Sequence, residues 1–131
     1  MQPAASTLSE ISAAIQQGRL PAAEQLAREQ LHAHPGDESI LTLLGLSVQM
    51  QGRPGDAAVY FEELTRLHPD AALHWNNLGS VLRDAGRSED AEAAYRRAQA
   101  LAPGDSQVLE NLGLLYYDRA DYAAARVCFL G

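Results

Sequence analysis

Trp75-Asn76-Asn77-Leu78-Gly79-Ser80-Val81-Leu82, continued through Gly86 and Ala91-Glu92-Ala93-Ala94-Tyr95 to Pro103, is the stretch whose reading decides the fold. Its small residues and breakers return every 34 positions: Gly45, Gly79 and Gly113; Ala57, Ala91 and Ala125; Gly18, Gly52 and Gly86 with Ala120 in fourth place; and Pro35, Pro69 and Pro103. A fixed period between roughly 20 and 50 residues marks stacked repeats, each of which buries its apolar face only against its neighbours. The chain therefore reads as a solenoid, and its period announces an interaction surface without naming a partner.

Each recurring position has a physical reason. Gly45, Gly79 and Gly113 let a second helix approach the first, with Ala57, Ala91 and Ala125 as the matching contacts. Phe61, Trp75, Tyr95 and Phe129 are expected to fill the remaining space, because interiors pack as densely as organic crystals. Gly18, Gly52 and Gly86 stand where a helix stops and the chain must take positive φ, with Pro21 and Pro54 suited to the first turn of the next helix. Pro35, Pro69 and Pro103 end each second helix, since proline lacks an amide proton and restricts the residue before it. The pattern predicts helices near 5–17, 21–33, 39–51, 55–67, 72–85, 88–101, 106–119 and from 122 onward.

The repeat resembles the tetratricopeptide repeat, whose pattern runs Trp, two residues, Leu-Gly, two residues, Tyr, then Ala, three residues, Phe, then Pro. The best copy supplies Trp75, Leu78, Gly79, Leu82, Ala91, Tyr95, Ala98 and Pro103. The copy before it has Leu41, Leu44, Gly45, Val48, Ala57, Phe61, Leu64 and Pro69, and the copy after it Leu109, Leu112, Gly113, Tyr116, Ala125 and Phe129. The first copy keeps Gly18, Ala23 and Pro35 but has Glu10-Ile11 in place of Leu-Gly and Ala27 in place of the aromatic. The resemblance implies an all-α, right-handed superhelical solenoid of antiparallel helix pairs. It forms one domain over 1–131, with repeats at about 4–37, 38–71, 72–105 and an incomplete 106–131. Because Gly131 stands at position 26 of 34, the chain is expected to be an N-terminal piece of a longer repeat protein, or a short protein whose unfinished edge is covered by a second copy; both readings put exposed apolar surface at Val127, Phe129 and Leu130.

Composition narrows the function classes. An apolar fraction of 47% is ordinary for a globular chain, and a net charge of −7 disfavours nucleic acid and anionic membranes as partners. The sequence contains no lysine, which removes phosphate-loop and Schiff-base chemistry; its arginine- and alanine-rich usage fits a GC-rich bacterial genome. Met1–Thr7 has neither a cationic nor an apolar signal region, and the apolar run Ile40–Val48 is too short to span a bilayer, so a cytoplasmic location is expected. The single cysteine, Cys128, excludes an internal disulfide and reads as a small buried hydrophobe.

In tetratricopeptide solenoids, repeat positions 2, 5, 6, 9, 12 and 13 face a concave groove. Carried over, this resemblance implies a peptide-binding surface of Leu43, Leu46 and Met50 in the second repeat; Asn76, Asn77, Ser80 and Arg83 in the third; and Gln107, Asn111, Leu114 and Tyr117 in the fourth. Asn77 and Asn111 share one repeat position and look like the start of the asparagine ladder of O-linked N-acetylglucosamine transferase. Asparagine can pair with a peptide backbone as donor and acceptor, although Asn before Leu-Gly is also common in the family as consensus. The carboxylate clamp that captures acidic chaperone tails needs cations where this chain has Thr42, Asn76, Asn77, Gln107 and Asn111. His34 and His68 recur with the repeat and, like His32, are not read as metal ligands. Pairs such as Glu92 with Arg96, and Arg87 with Glu89 and Asp90, read as solvated helix faces. No catalytic residues, metal or cofactor are expected. The favoured reading is a non-catalytic scaffold that takes a protein or peptide segment in its groove. The alternatives are the substrate-recruiting segment of a larger bacterial enzyme, such as a glycosyltransferase or sulfotransferase, and a module that self-associates through its C-terminal edge.

Overall fold

The computed structural model describes residues 5–130; Ala4 and Gly131, which bound the expected repeats, lie outside the described residues. The described residues form eight helices and no strand: α1 (Ala5–Gln16), α2 (Leu20–Ala33), α3 (Glu38–Met50), α4 (Pro54–Leu67), α5 (Ala72–Asp84), α6 (Ser88–Leu101), α7 (Ser106–Asp118) and α8 (Tyr122–Leu130). They divide into two compact units after Leu67. In the first unit α1 packs on α2, α2 on α3 and α3 on α4; in the second α5 packs on α6, α6 on α7 and α7 on α8.

The helix-to-helix turn inside every pair is built the same way. Gly18, Gly52 and Gly86 take φ of 76°, 76° and 78°, and the residue after each donates its amide to a carbonyl five back, as Arg87 does to Leu82 at 2.9 Å. The fourth turn keeps this geometry without glycine: Ala120 has φ 59°, and Asp121 N donates to Tyr116 O at 2.8 Å. Between pairs, the Pro35-Gly36 and Pro103-Gly104 turns also use positive φ, with Asp37 and Asp105 capping α3 and α7. The Asp37 carboxylate accepts from Ile40 N at 3.0 Å, and Asp105 from Gln107 N at 2.9 Å. Helix α5 has no such cap; instead the Trp75 indole donates to Pro69 O at 2.8 Å.

Close approach at the signature glycines is literal. A Cβ on Gly45 would stand 2.9 Å from the Phe61 ring, one on Gly79 2.5 Å from the Tyr95 ring, and one on Gly113 2.4 Å from the Phe129 ring. Phe61 and Tyr95 are buried as expected, along with Ala57, Ala91 and Ala125. Two of the expected core aromatics are not. Trp75 lies half-exposed beneath Arg97, because its indole N–H is anchored on the surface loop. Phe129 is 50% exposed, resting one face on Gly113 with its other side uncovered. In the first repeat Ile11 occupies the glycine position and Ala27 the aromatic one, both fully buried, so the large side chain comes from the opposite helix.

Candidate functional site

The expected groove residues are best assembled on the face shared by α5 and α7. The Asn111 side-chain amide donates to Asn76 Oδ1 at 2.9 Å, and the Gln107 amide reaches Asn111 Oδ1 at 3.5 Å. Two turns further along, Arg83 Nε donates to Asp118 Oδ2 at 2.6 Å. That ion pair raises the Arg83 pKa and holds the Asp118 carboxyl below its ordinary range. Ser80 Oγ is 3.0 Å from Tyr95 OH, which ties the α5 face to α6 behind it. Leu114 is half-buried and Tyr117 exposed, its ring edge-on to Tyr122 with centroids 5.3 Å apart.

Three expectations change here. Asn76, placed on the open face by the repeat position, is only 8% exposed, because it turns toward α7 to accept from Asn111. Asn111 pairs with Asn76 and leaves its repeat equivalent Asn77 alone, so the two residues at one repeat position have different work. Asn77 is half-buried, and among the described residues its side-chain amide has no hydrogen-bond partner. Arg83 is already neutralised by Asp118, a partner that the repeat positions could have named, since both stand at positions expected to face the groove.

In the first unit the equivalent face is apolar. Leu43 is half-buried, Leu46 is exposed and Met50 is 52% exposed. Behind it, sequence reasoning missed a charged latch. Glu24 on α2 accepts from Arg28 at 2.7 Å, from Gln51 at 2.9 Å and from Arg53 at 2.8 Å. These bonds, that of Arg28 foremost and then that of Gln51, hold the Glu24 carboxyl at about 2. Its repeat equivalent Glu92 on α6 keeps the pair with Arg96 that was read from sequence, at 3.8 Å, and is also bound across to α7. Tyr116 OH donates to it at 2.7 Å and Arg119 at 2.7 Å, and together they lower its pKa. Burial and that glutamate push Tyr116 up to about 12. The signal was present in sequence as a Glu at one repeat position and an Arg or Gln in the next helix turn, 27 residues on. By contrast Arg87 and Asp90 do form an exposed pair, at 2.9 Å.

Cys128 does not sit in a packed face. It lines two open clefts beside α8, and partial burial raises its thiol pKa. Among the described residues no three His, Cys, Asp or Glu side chains are placed to hold a metal ion, and no helix is long and apolar enough to cross a membrane.

The paired helices, the glycine-to-ring contacts and the recurring turn agree with a sequence model of the tetratricopeptide repeat, which matches residues 42–106 and 80–129. The chain belongs to the tetratricopeptide repeat family. Solved structures share its fold. MamA from Desulfovibrio magneticus RS-1 superposes with a TM-score of 0.88 at 18% identity, over 95% of this chain and 70% of that one. Pseudomonas aeruginosa PilF gives 0.82 at 25% identity, over 95% and 57%. Among curated proteins, the peroxisomal targeting signal receptor of Saccharomyces cerevisiae is 41% identical over 54 residues, 41% of this chain and 9% of the receptor. Drosophila melanogaster protein O-mannosyl-transferase Tmtc3 is 29% identical over 107 residues, 81% of this chain and 12% of that protein. This chain thus spans a small fraction of the length of the curated relatives it matches. The fold is one that serves as a protein–protein interaction scaffold.

Proposed function

We propose that the chain is a non-catalytic scaffold that holds an extended peptide segment of a protein partner against the α5 and α7 face, with the peptide main chain read by side-chain amides. The observation that carries this is Asn77. Its carboxamide offers both donor and acceptor beside the Asn76–Asn111 pair, which fixes the neighbouring amides in place. Gln107 and Tyr117 extend the exposed face on α7, while Leu43, Leu46 and Met50 give the first unit a separate apolar face suited to side chains rather than main chain. The arginine on this face is paired with Asp118, which disfavours capture of an acidic tail.

Selecting binders from a displayed random-peptide library and measuring the best peptide against Asn77→Ala tests the reading. Loss of one main-chain hydrogen bond pair weakens binding about tenfold. Unchanged affinity in a normally folded variant contradicts it. Asn111→Ala is the less clean test, since it strips Asn76 of its partner as well.

The match to an O-mannosyl-transferase favours a second reading, in which these repeats recruit substrate for a catalytic domain elsewhere in a longer protein. The chemistry would then lie outside these residues, and the face described here would bind the acceptor protein.

A further inference from the structure

A cleft of about 450 Å³ opens between α6, α7 and α8, away from the α5 and α7 amide face, lined by Arg96, Gln99, Pro103, Tyr116, Val127 and Cys128 among others. Its meaning comes from the same repeat positions in the first unit. Two periods back, Arg96 corresponds to Arg28, Val127 to Val59 and Cys128 to Tyr60. In the first unit the Arg28 guanidinium stands 5.9 Å from the centroid of the Tyr60 ring. In the second unit the arginine is retained but the ring supplied by the last helix is replaced by a thiol.

The volume is only partly made up from elsewhere. Tyr116 on α7 replaces Val48, and its ring lies 5.5 Å from Arg96 and 5.6 Å from Arg119. Its hydroxyl is fixed by Glu92 and receives a hydrogen bond from Arg96, so this ring cannot swing toward Cys128 without breaking both. The space where Tyr60 would stand remains open. It is walled by Tyr116, by the Arg96 side chain at 53% exposed, and by Val127 at 72% exposed on the rim.

We propose that this cleft is a docking pocket for an aromatic side chain of a protein partner, seated at the place that Tyr60 fills in the first unit and stacked on Arg96. Cation–π attraction and the apolar rim select an aromatic over an aliphatic side chain of similar size. This site is separate from the amide face, and it stands or falls without it.

The test is an NMR titration of the chain with N-acetyl-tyrosine amide in the millimolar range, with N-acetyl-leucine amide as the control. Saturable shifts at Gln99, Val127 and Cys128, with the leucine compound roughly threefold weaker or more, are expected. Cys128→Tyr, which supplies the ring from within, abolishes those shifts and raises the urea midpoint. Val127→Glu at the exposed rim keeps the fold and weakens the shifts, which guards against a Cys128→Tyr chain that fails to fold. Absence of saturable shifts at the cleft, equal binding of the leucine compound, or shifts that persist in folded Cys128→Tyr each overturn the proposal.

Discussion

The two units are built on one 34-residue rule and differ in where each puts its bulk and its charge. In the first, Ile11 and Ala27 reverse the glycine-and-ring arrangement that Gly45 and Phe61 keep one repeat later. In the second, Gly79 and Tyr95 keep it, and the exchange moves to the outer layer, where Tyr116 and Cys128 stand for Val48 and Tyr60. The lesson is that the repeat holds the sum of volumes at the central contact of each pair, whichever helix supplies it, and relaxes it in the outer layer, where the place of Tyr60 is only partly refilled. The latch behaves likewise. A glutamate joins neighbouring repeats in both units, through Gln51 and Arg53 in the first and through Tyr116 and Arg119 in the second.

The largest effects are expected at the glycine contacts, and they rank by how far the facing ring can yield. Gly79→Ala drives a methyl into Tyr95, a buried ring also held by Ser80, and costs about 3 kcal/mol by urea denaturation. Gly45→Ala meets Phe61, buried but without a hydroxyl to anchor it, and costs about 1–2 kcal/mol. Gly113→Ala makes the tightest contact on paper yet costs under about 1 kcal/mol, since the half-exposed Phe129 ring can swing out. An equal loss at all three positions breaks the comparison.

Next come the latches. The folded Glu24 carboxyl titrates at about 2, below its ordinary value of 4.5, so its contribution is present above the ordinary value and is lost as pH falls through the folded one. Its arginine partners are partly exposed, which screens the pair, so Glu24→Gln lowers stability by roughly 1–2 kcal/mol at neutral pH, and the difference from the parent shrinks below pH 4 and closes near pH 2. Glu92→Gln follows the same direction. A Glu24→Gln deficit that stays constant down to pH 2 assigns the latch to packing rather than charge.

The smallest effect is a gain. Ala120 holds a left-handed backbone that Gly18, Gly52 and Gly86 hold without strain, so Ala120→Gly raises stability by about 1 kcal/mol, offset in part by a more flexible unfolded chain. A loss on that substitution breaks the equivalence of the four turns.

Much of this was legible in sequence, for identifiable reasons. Glycine, alanine and proline act through backbone geometry, so Gly86 and Pro103 mark the ends of α5 and α6 whatever surrounds them. The groove positions were legible as a face, because helical periodicity puts Asn76, Ser80 and Arg83 on one side of α5. Pairing across that face was not. Whether Asn111 meets Asn76 or Asn77 depends on how α7 is set against α5, and whether Glu92 faces solvent or Arg119 depends on side-chain reach from a different helix. Trp75 misled for a related reason: a large aromatic at a core position takes the surface when its N–H finds a loop carbonyl there.

The most direct test of the account is side-chain amide NMR on the free chain and on the chain saturated with a library-selected peptide. The Asn111 amide is expected to exchange slowly in both states, the Asn77 and Gln107 amides to shift and gain protection only with peptide, and residues around Glu24 to stay unmoved. Peptide-induced shifts that spare Asn77, or an Asn111 amide that exchanges as freely as that of Asn77 in the free chain, would contradict the assignment of this face.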